Sequence, residues 1–132
     1  MALNTLCVEN LNVAINLNGV LKALIIQNKP KQAIDIIADI LFVLGQTLQC
    51  INRVEFNQMV GSYKPSFTAK RSMKTYKITN SNKKLCLQLV DTATANFIQA
   101  KRLILQNKLE DAENIIAATI SGRILRCVNS LR

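Results

Sequence analysis

The sequence predicts an all-α fold in which two antiparallel helical hairpins, related by internal duplication, form a four-helix bundle with a long basic loop between them. Residues 24 to 38 (LIIQNKPKQAIDIIA) and 103 to 117 (LILQNKLEDAENIIA) are identical at nine of fifteen positions, at an offset of 79 and without a gap. Apolar residues recur at three- and four-residue steps on both sides of each QNK, as in amphipathic helices. The bundle is expected within one chain or between chains.

The first hairpin is predicted over residues 4 to 52. We expect Asn28 to cap the second helix of this hairpin at its N-terminus, with Pro30 in the first turn, where a missing N–H costs nothing. The apolar stripe of the first helix consists of Leu3, Leu6, Cys7, Val13, Ala14, Leu17, Val20, Leu21, Leu24 and Ile25. The stripe of the second consists of Ile34, Ile37, Ile40, Leu41, Leu44, Leu48 and Ile51.

The second hairpin is predicted over residues 84 to 132. Asn107 and Glu110 have the spacing of a capping box, and Asp111 and Glu113 add favourable charge to the first turn. The two apolar stripes here run from Leu85 to Ile104 and from Ala112 to Leu131.

A connecting segment, residues 53 to 83, separates the hairpins. It is long for a helix connection and lacks a helical stripe, and Gly61 and Pro65 interrupt it. Residues 72 to 79 (SMKTYKIT) alternate in character, which indicates a short strand, a hairpin or a loop that orders on binding.

Length and composition predict one soluble domain over residues 1 to 132. The chain is 49% hydrophobic and 19% charged, which is too apolar for a disordered protein. No uninterrupted run of eighteen apolar residues occurs, and the N-terminus lacks a secretory signal pattern. We therefore expect a cytoplasmic protein without a membrane partner, in the host cytoplasm if the protein is viral.

Four cysteines are predicted to lie toward the open ends of the hairpins, Cys7 level with Cys50 and Cys86 level with Cys127. Three interpretations are open: free thiols packed as small apolar groups, two disulfides, or a four-thiolate zinc site. Disulfides need an oxidising compartment, and the spacing lacks the close pairs of structural zinc sites. The sequence therefore favours four reduced cysteines in the core.

Catalysis is poorly supported by the residue types present. The chain has no histidine, which is the commonest general base and the usual activator of a cysteine nucleophile. Asp35 and Asp39 are one helical turn apart and fit a solvated face better than an acid–base pair. We predict no catalytic residue, metal site or cofactor.

Positive charge is concentrated between the hairpins. The formal net charge is +9, and residues 53 to 84 hold eight Lys or Arg against Glu55 alone, a local charge of +7. Such cations neutralise phosphates, and interleaved aromatic rings can stack on unpaired bases. The predicted nucleic-acid contacts are Lys64, Lys70, Arg71, Lys74, Lys77, Lys83, Lys84, Arg123, Arg126 and Arg132, and the predicted stacking residues are Tyr63, Phe67 and Tyr76.

Two hypotheses of function follow. The first is an accessory protein that binds nucleic acid by charge and shape, RNA ahead of DNA and duplex RNA included, because nothing resembles a recognition helix. The second is a helical scaffold or chaperone that binds an acidic or helical protein partner. Self-association into a homo-oligomer is compatible with both.

Overall fold

The computed structural model describes residues 2–52 and 76–132, and these residues are helical apart from short connections. The helices are α1 (Ala2–Ile26), α2 (Pro30–Asn52), α3 (Asn80–Leu105), α4 (Leu109–Thr119) and α5 (Leu125–Ser130). A π-helical turn, Ile120–Ile124, joins α4 directly to α5, so that four helical segments result. The all-α prediction is thereby confirmed, and no strand occurs within the two described ranges.

Each helical segment packs against two others, so that contacts run all the way around the protein. Helix α1 packs against α2 and α3, α3 packs against α4 and α5, and α2 packs against α4. The Cα atoms of Cys7 and Cys50 lie 5.7 Å apart, which brings the start of α1 beside the end of α2. Those of Cys86 and Cys127 lie 4.9 Å apart, which does the same for α3 and α5. Each pair of helices therefore runs antiparallel around a tight turn.

In both turns the asparagine ends the preceding helix, whereas the prediction placed it at the start of the following one. Asn28 and Asn107 adopt left-handed backbone conformations, with φ of 58° and 61°. The N–H of Asn28 donates to the carbonyl of Ile25 (3.1 Å) and that of Lys29 to the carbonyl of Leu24 (3.0 Å), which is the hydrogen-bond pattern of a Schellman motif. The predicted N-capping role is therefore wrong, because the left-handed residue closes the preceding helix.

The second turn repeats this geometry. The N–H of Asn107 donates to the carbonyl of Ile104 (3.0 Å), and that of Lys108 donates to the carbonyl of Leu103 (2.8 Å). Lys108, not Asn107, occupies the N-cap position of α4, and it makes no side-chain capping bond. The predicted Asn107–Glu110 capping box is therefore absent.

Helix α3 begins four residues before the predicted hairpin boundary at residue 84. Thr79 is its N-cap, and Thr79 Oγ1 accepts from the N–H of Asn82 at 3.2 Å. The side chain of Asn82 in turn accepts from the N–H of Thr79 at 2.7 Å. This reciprocal pair is a capping box with asparagine in place of the usual glutamate or glutamine, so the pattern T-x-x-N marks the start of the helix.

The cysteines form two disulfides, Cys7–Cys50 and Cys86–Cys127, in contrast to the favoured prediction of reduced thiols. Three of the four are at most 1% exposed, which agrees with the predicted burial. Pairing followed because the antiparallel hairpin brings the α-carbons of each level pair within the range that a disulfide spans. The disulfides also exclude the four-thiolate zinc interpretation.

The core contains most of the predicted apolar stripes, with one exception on α1. Of the stripe predicted for α1, Leu6, Val13 and Val20 are 53%, 46% and 47% exposed. The prediction that these three lie in the core is wrong, because α1 is apolar on more than one side. The buried face of α1 consists of Cys7, Leu11, Ala14, Asn18, Leu21 and Ile25.

Polar contacts of two α1 side chains, Asn18 and Lys22, join α1 to α3. The buried side chain of Asn18 donates through Nδ2 to the carbonyl of Val90 (3.3 Å) and to Thr94 Oγ1 (3.1 Å). At the surface, Lys22 Nζ lies 3.0 Å from a carboxylate oxygen of Asp91. These contacts hold the two hairpins in one relative position.

The π-helical turn coincides with the place where the second repeat is two residues shorter than the first. The offset of 79 between Ile37 and Ile116 falls to 77 between Cys50 and Cys127. Two missing residues remove about 200° of rotation from an α-helix. The wider π turn rotates the chain by fewer degrees per residue than an α-helix does, and Cys127, which follows this turn, is bonded to Cys86.

Helix α2 is long and apolar enough to cross a membrane by length and composition, over residues 30 to 51. However, 56% of its most apolar 18-residue window is buried against the rest of the protein, as in a core helix. We therefore interpret its apolar character as a consequence of packing.

Candidate nucleic-acid interface

The predicted basic residues divide into two groups. Lys64, Lys70, Arg71 and Lys74, together with the aromatic residues Tyr63 and Phe67, lie outside the described residues. The remaining six cations lie in the second hairpin or in the chain just before it, and we call them the basic end: Lys77, Lys83, Lys84, Arg123, Arg126 and Arg132.

Hydrogen bonds hold the chain before α3 against the end of α5. The N–H of Lys77 donates to the carbonyl of Leu131 at 2.8 Å. Asn82 Nδ2 donates to the carbonyl of Lys77 (2.9 Å) and to that of Ser130 (3.0 Å). One turn further along α3, the Cys86–Cys127 disulfide ties the same two helices. The cations of the basic end therefore belong to two chain segments that hydrogen bonds and a disulfide hold together.

Asn82 is the residue that sequence analysis missed. Its side chain closes the capping box of α3 and reaches across to the carbonyl of Ser130, so it connects three parts of the basic end. The Thr79–Asn82 spacing was the available signal, but the contact across to α5 depends on the tertiary fold.

The electrostatic character of the basic end is one-sided. No Asp or Glu occurs in residues 76 to 90 or 114 to 132. The ion pair that the described residues form, between Lys22 and Asp91, does not involve any cation of the basic end. Lys83 ends the first turn of α3 and Lys84 follows it, so both lie near the partial positive charge of the helix N-terminus. These two stretches of the second hairpin therefore carry positive formal charge only.

Exposure differs among the six cations. Lys77, Lys84, Arg126 and Arg132 are exposed, whereas Lys83 and Arg123 are partly covered. Exposed, flexible cations contact phosphate groups well and carry little information about base sequence. Chemically, the arrangement is suited to binding a polyanion.

Tyr76 does not serve as the predicted stacking platform. The residue is 7% exposed and belongs to the hydrophobic core, and its hydroxyl has no hydrogen-bond partner among the described residues. The alternating pattern around Tyr76 was interpreted as a binding surface, but the ring is buried because the chain folds back along α5 at this point.

The other described aromatic rings offer no replacement. Phe97 is fully buried and Phe42 is partly buried. Within the described ranges, the candidate interface is therefore cationic, without an exposed aromatic ring.

Comparison of the chain with protein-family models, with curated proteins and with solved structures finds no match. The functional argument consequently depends on the residues of this chain alone.

Proposed function

We propose that this protein is an accessory protein that binds nucleic acid through charge and shape, with RNA, duplex RNA included, favoured over DNA. The observation that carries the proposal is the basic end, in which six Lys and Arg residues occur in two sequence stretches without a carboxylate. A solvent-facing group of like charges opposes folding unless a counter-charge is supplied, and a polyphosphate backbone supplies one.

The preference for a duplex over a single strand is argued from the side chains that the described part of the basic end offers. With Tyr76 in the core, the described residues provide cations for phosphates but no exposed ring for stacking on bases. Binding that depends on phosphates reads backbone shape, and an RNA duplex adds 2′-hydroxyl groups along its shallow minor groove. This supports duplex RNA over single strands as the preferred ligand of the basic end.

Fluorescence anisotropy with labelled RNA duplex, DNA duplex and single-stranded RNA tests the proposal at several salt concentrations. Affinity for the duplexes should fall log-linearly with salt, with a slope of about 0.9 per phosphate contact. The variant Lys84→Ala, Arg126→Ala, Arg132→Ala should bind more weakly and with a shallower slope, because three exposed cations are lost.

A matched control removes the same charge elsewhere. Lys31, Arg102 and Lys108 are exposed and lie near the two turns, so their replacement by alanine lowers the net charge equally. If both triple variants lose affinity to the same extent, the net charge and not the basic end controls binding. If the parent protein binds none of the three ligands, the alternative of a scaffold for an acidic or helical protein takes precedence.

We also propose that the two hairpins arose by duplication and pack as a four-helix bundle. Three features recur at equivalent positions: the Schellman turns at Asn28 and Asn107, the first cysteines Cys7 and Cys86, and the disulfides that they make. Conformations and cross-links that match in this way support the repeat seen in the sequence.

Cytoplasmic localisation stays a prediction, and the two disulfides weigh against it. Disulfides persist mainly in oxidising compartments, and cytosolic proteins are usually kept reduced. Alkylation of the protein in its native compartment, followed by mass spectrometry, decides the question, because each intact bridge protects two thiols from the reagent.

A further inference from the structure

The two disulfides differ in how far solvent reaches them. In the second hairpin, Cys86 is fully buried and Cys127 is 1% exposed. In the first hairpin, Cys7 is 1% exposed, but Cys50, in the last turn of α2, is partly exposed. A thiol that attacks a disulfide needs access to one of the two sulfur atoms. Cys50 is therefore the cysteine that an outside thiol can approach in the folded protein.

Contacts within the second hairpin also cover the Cys86–Cys127 bridge. Ser130 Oγ lies 3.3 Å from Cys86 Sγ, and it donates to the carbonyl of Cys127 at 2.7 Å. Asn82 Nδ2 donates to the carbonyl of Ser130 at 3.0 Å, so Ser130 is itself tied to the first turn of α3. A thiol reaches this bridge only after these contacts have opened.

Charge favours the opposite order of reactivity. Lys84 and Arg126 lie within two residues of Cys86 and Cys127 in the sequence, whereas the cysteines of the first bridge have no cation so close in sequence. Cationic neighbours stabilise a thiolate and attract an anionic thiol. If charge controlled the reaction, the second bridge would react first, so the order of reaction separates the effect of access from that of charge.

We propose that Cys7–Cys50 is a redox-active disulfide that exchanges with a small-molecule thiol at Cys50, whereas Cys86–Cys127 is a structural disulfide. Access outweighs charge here, because a covered sulfur atom does not react whatever charges surround it. Cys50 is only partly exposed and its bonded partner is buried, so the site admits a small thiol more readily than the thiol of another protein.

The reaction is a thiol–disulfide exchange in two steps. The thiolate of the small thiol attacks Cys50 Sγ and forms a mixed disulfide, while the bond to Cys7 Sγ breaks and Cys7 leaves with the electron pair. Cys7 then takes up the proton that the small thiol released on ionisation. A second small thiol attacks the small-molecule sulfur of the mixed disulfide and releases Cys50. Two small thiols are thereby oxidised to one disulfide, and the protein bridge is reduced to two thiols.

The consequence of this exchange is a first hairpin that responds to the thiols around it. Reduction of Cys7–Cys50 releases the start of α1 from the end of α2. The second bridge meanwhile continues to join α3 to α5. A reducing environment therefore loosens one hairpin and leaves the other cross-linked.

A time course of reduction by excess glutathione, with the parent protein under native conditions, tests the proposal. The reaction is quenched by alkylation, and mass spectrometry of peptides identifies the labelled cysteines. We expect Cys7 and Cys50 to become labelled at least about tenfold faster than Cys86 and Cys127. At early times, glutathione itself should be attached to Cys50 and not to Cys7.

Two single variants provide a matched pair. Cys7→Ala leaves Cys50 as a free thiol, and Cys86→Ala leaves Cys127 as one. The lost bridges span 43 and 41 residues, so both variants should lose similar stability. Oxidised glutathione should modify Cys50 in the first variant at least about tenfold faster than Cys127 in the second. Circular dichroism checks that both variants are folded.

The proposal is overturned if both bridges of the parent protein are reduced at the same rate, because reduction would then depend on global unfolding. It is also overturned if Cys86–Cys127 reacts first, if glutathione is found on Cys7 in place of Cys50, or if neither bridge is reduced. No nucleic acid is present in these measurements, so their outcomes leave the proposed function unaffected.

Discussion

At the scale of single residues, Asn18 and Phe97 occupy equivalent positions of the sequence repeat, and both are fully buried although one is polar and the other is not. Phe97 is an ordinary core residue. Asn18 instead bonds to α3 through Nδ2, while its Oδ1 has no partner among the described residues. The amide therefore connects the two hairpins through a buried polar contact, at the cost of one unsatisfied acceptor.

Replacing Asn18 by leucine and Thr94 by valine should give a protein at least as stable as the parent. The double change removes both members of the buried polar contact and keeps their approximate shapes, and such changes are often neutral or stabilising. Asn18→Ala leaves a cavity instead and should lower the free energy of unfolding by about 1 to 3 kcal/mol. Urea unfolding monitored by circular dichroism compares the two, and a double variant as unstable as Asn18→Ala would contradict this account.

The left-handed asparagines provide a second residue-scale prediction. Asn28→Ala should destabilise the protein by about 1 to 2 kcal/mol, because a Cβ-bearing residue without a short polar side chain adopts positive φ at that cost. Asn28→Gly should stay within about 0.5 kcal/mol of the parent, since glycine adopts this conformation freely. Asn107 offers an independent repetition of the experiment at φ 61°. Equal stability of the alanine and glycine variants at both sites would rule out the proposed cause.

At the scale of elements, each disulfide ties one hairpin at the end opposite its turn. The two bridges span 43 and 41 residues, so each cross-links a long loop of the unfolded chain. Closing such a loop lowers the conformational entropy of the unfolded chain, and this stabilises the folded hairpin relative to the unfolded state.

Removing one bridge should lower the free energy of unfolding by about 2 to 4 kcal/mol. The variant Cys7→Ala, Cys50→Ala tests the first hairpin, and Cys86→Ala, Cys127→Ala tests the second. The similar loop lengths predict similar losses. Denaturation of both variants and of the parent, with and without reductant, provides the measurement. If reductant leaves the stability of the parent unchanged, the thiols are not paired in the protein.

At the scale of the whole molecule, the buried residues of both hairpins belong to one hydrophobic cluster. Ile37 and Ile116 are equivalent positions of the repeat, and each is fully buried. Because α1 packs on α3 and α2 packs on α4, damage to one hairpin also removes contacts from the other. We therefore expect the two hairpins to unfold together.

Ile37→Ala and Ile116→Ala should each cost about 2 to 5 kcal/mol. In both variants a single transition should move to lower urea concentration. Fluorescence and circular dichroism should trace the same curve, as in a two-state protein. Two separate transitions, with only one of them shifted, would mean that the hairpins are independent units.

Local patterns in the sequence were enough for the helical class, the two hairpins and most of the core. Periodic residues such as Ile37 and Ile116 lie inside because a helix repeats every 3.6 residues, whatever packs against it. The QNK repeat located both turns, although hydrogen bonds to the preceding helix decided the role of each asparagine. The antiparallel order of the helices also predicts that Lys77, Lys83 and Lys84 lie near the C-terminal arginines, and this stays a prediction.

Only the tertiary structure decided which apolar residues face solvent, which cysteines bond and which aromatic ring is available. Leu6, Val13 and Val20 match the helical period as well as the core residues do, and their exposure depends on where α2 and α3 touch α1. The pairing of Cys86 with Cys127 joins residues 41 positions apart in sequence, on two different helices. Tyr76 is buried because the chain returns along α5. In each case the outcome depends on contacts between residues distant in sequence, which a local pattern does not contain.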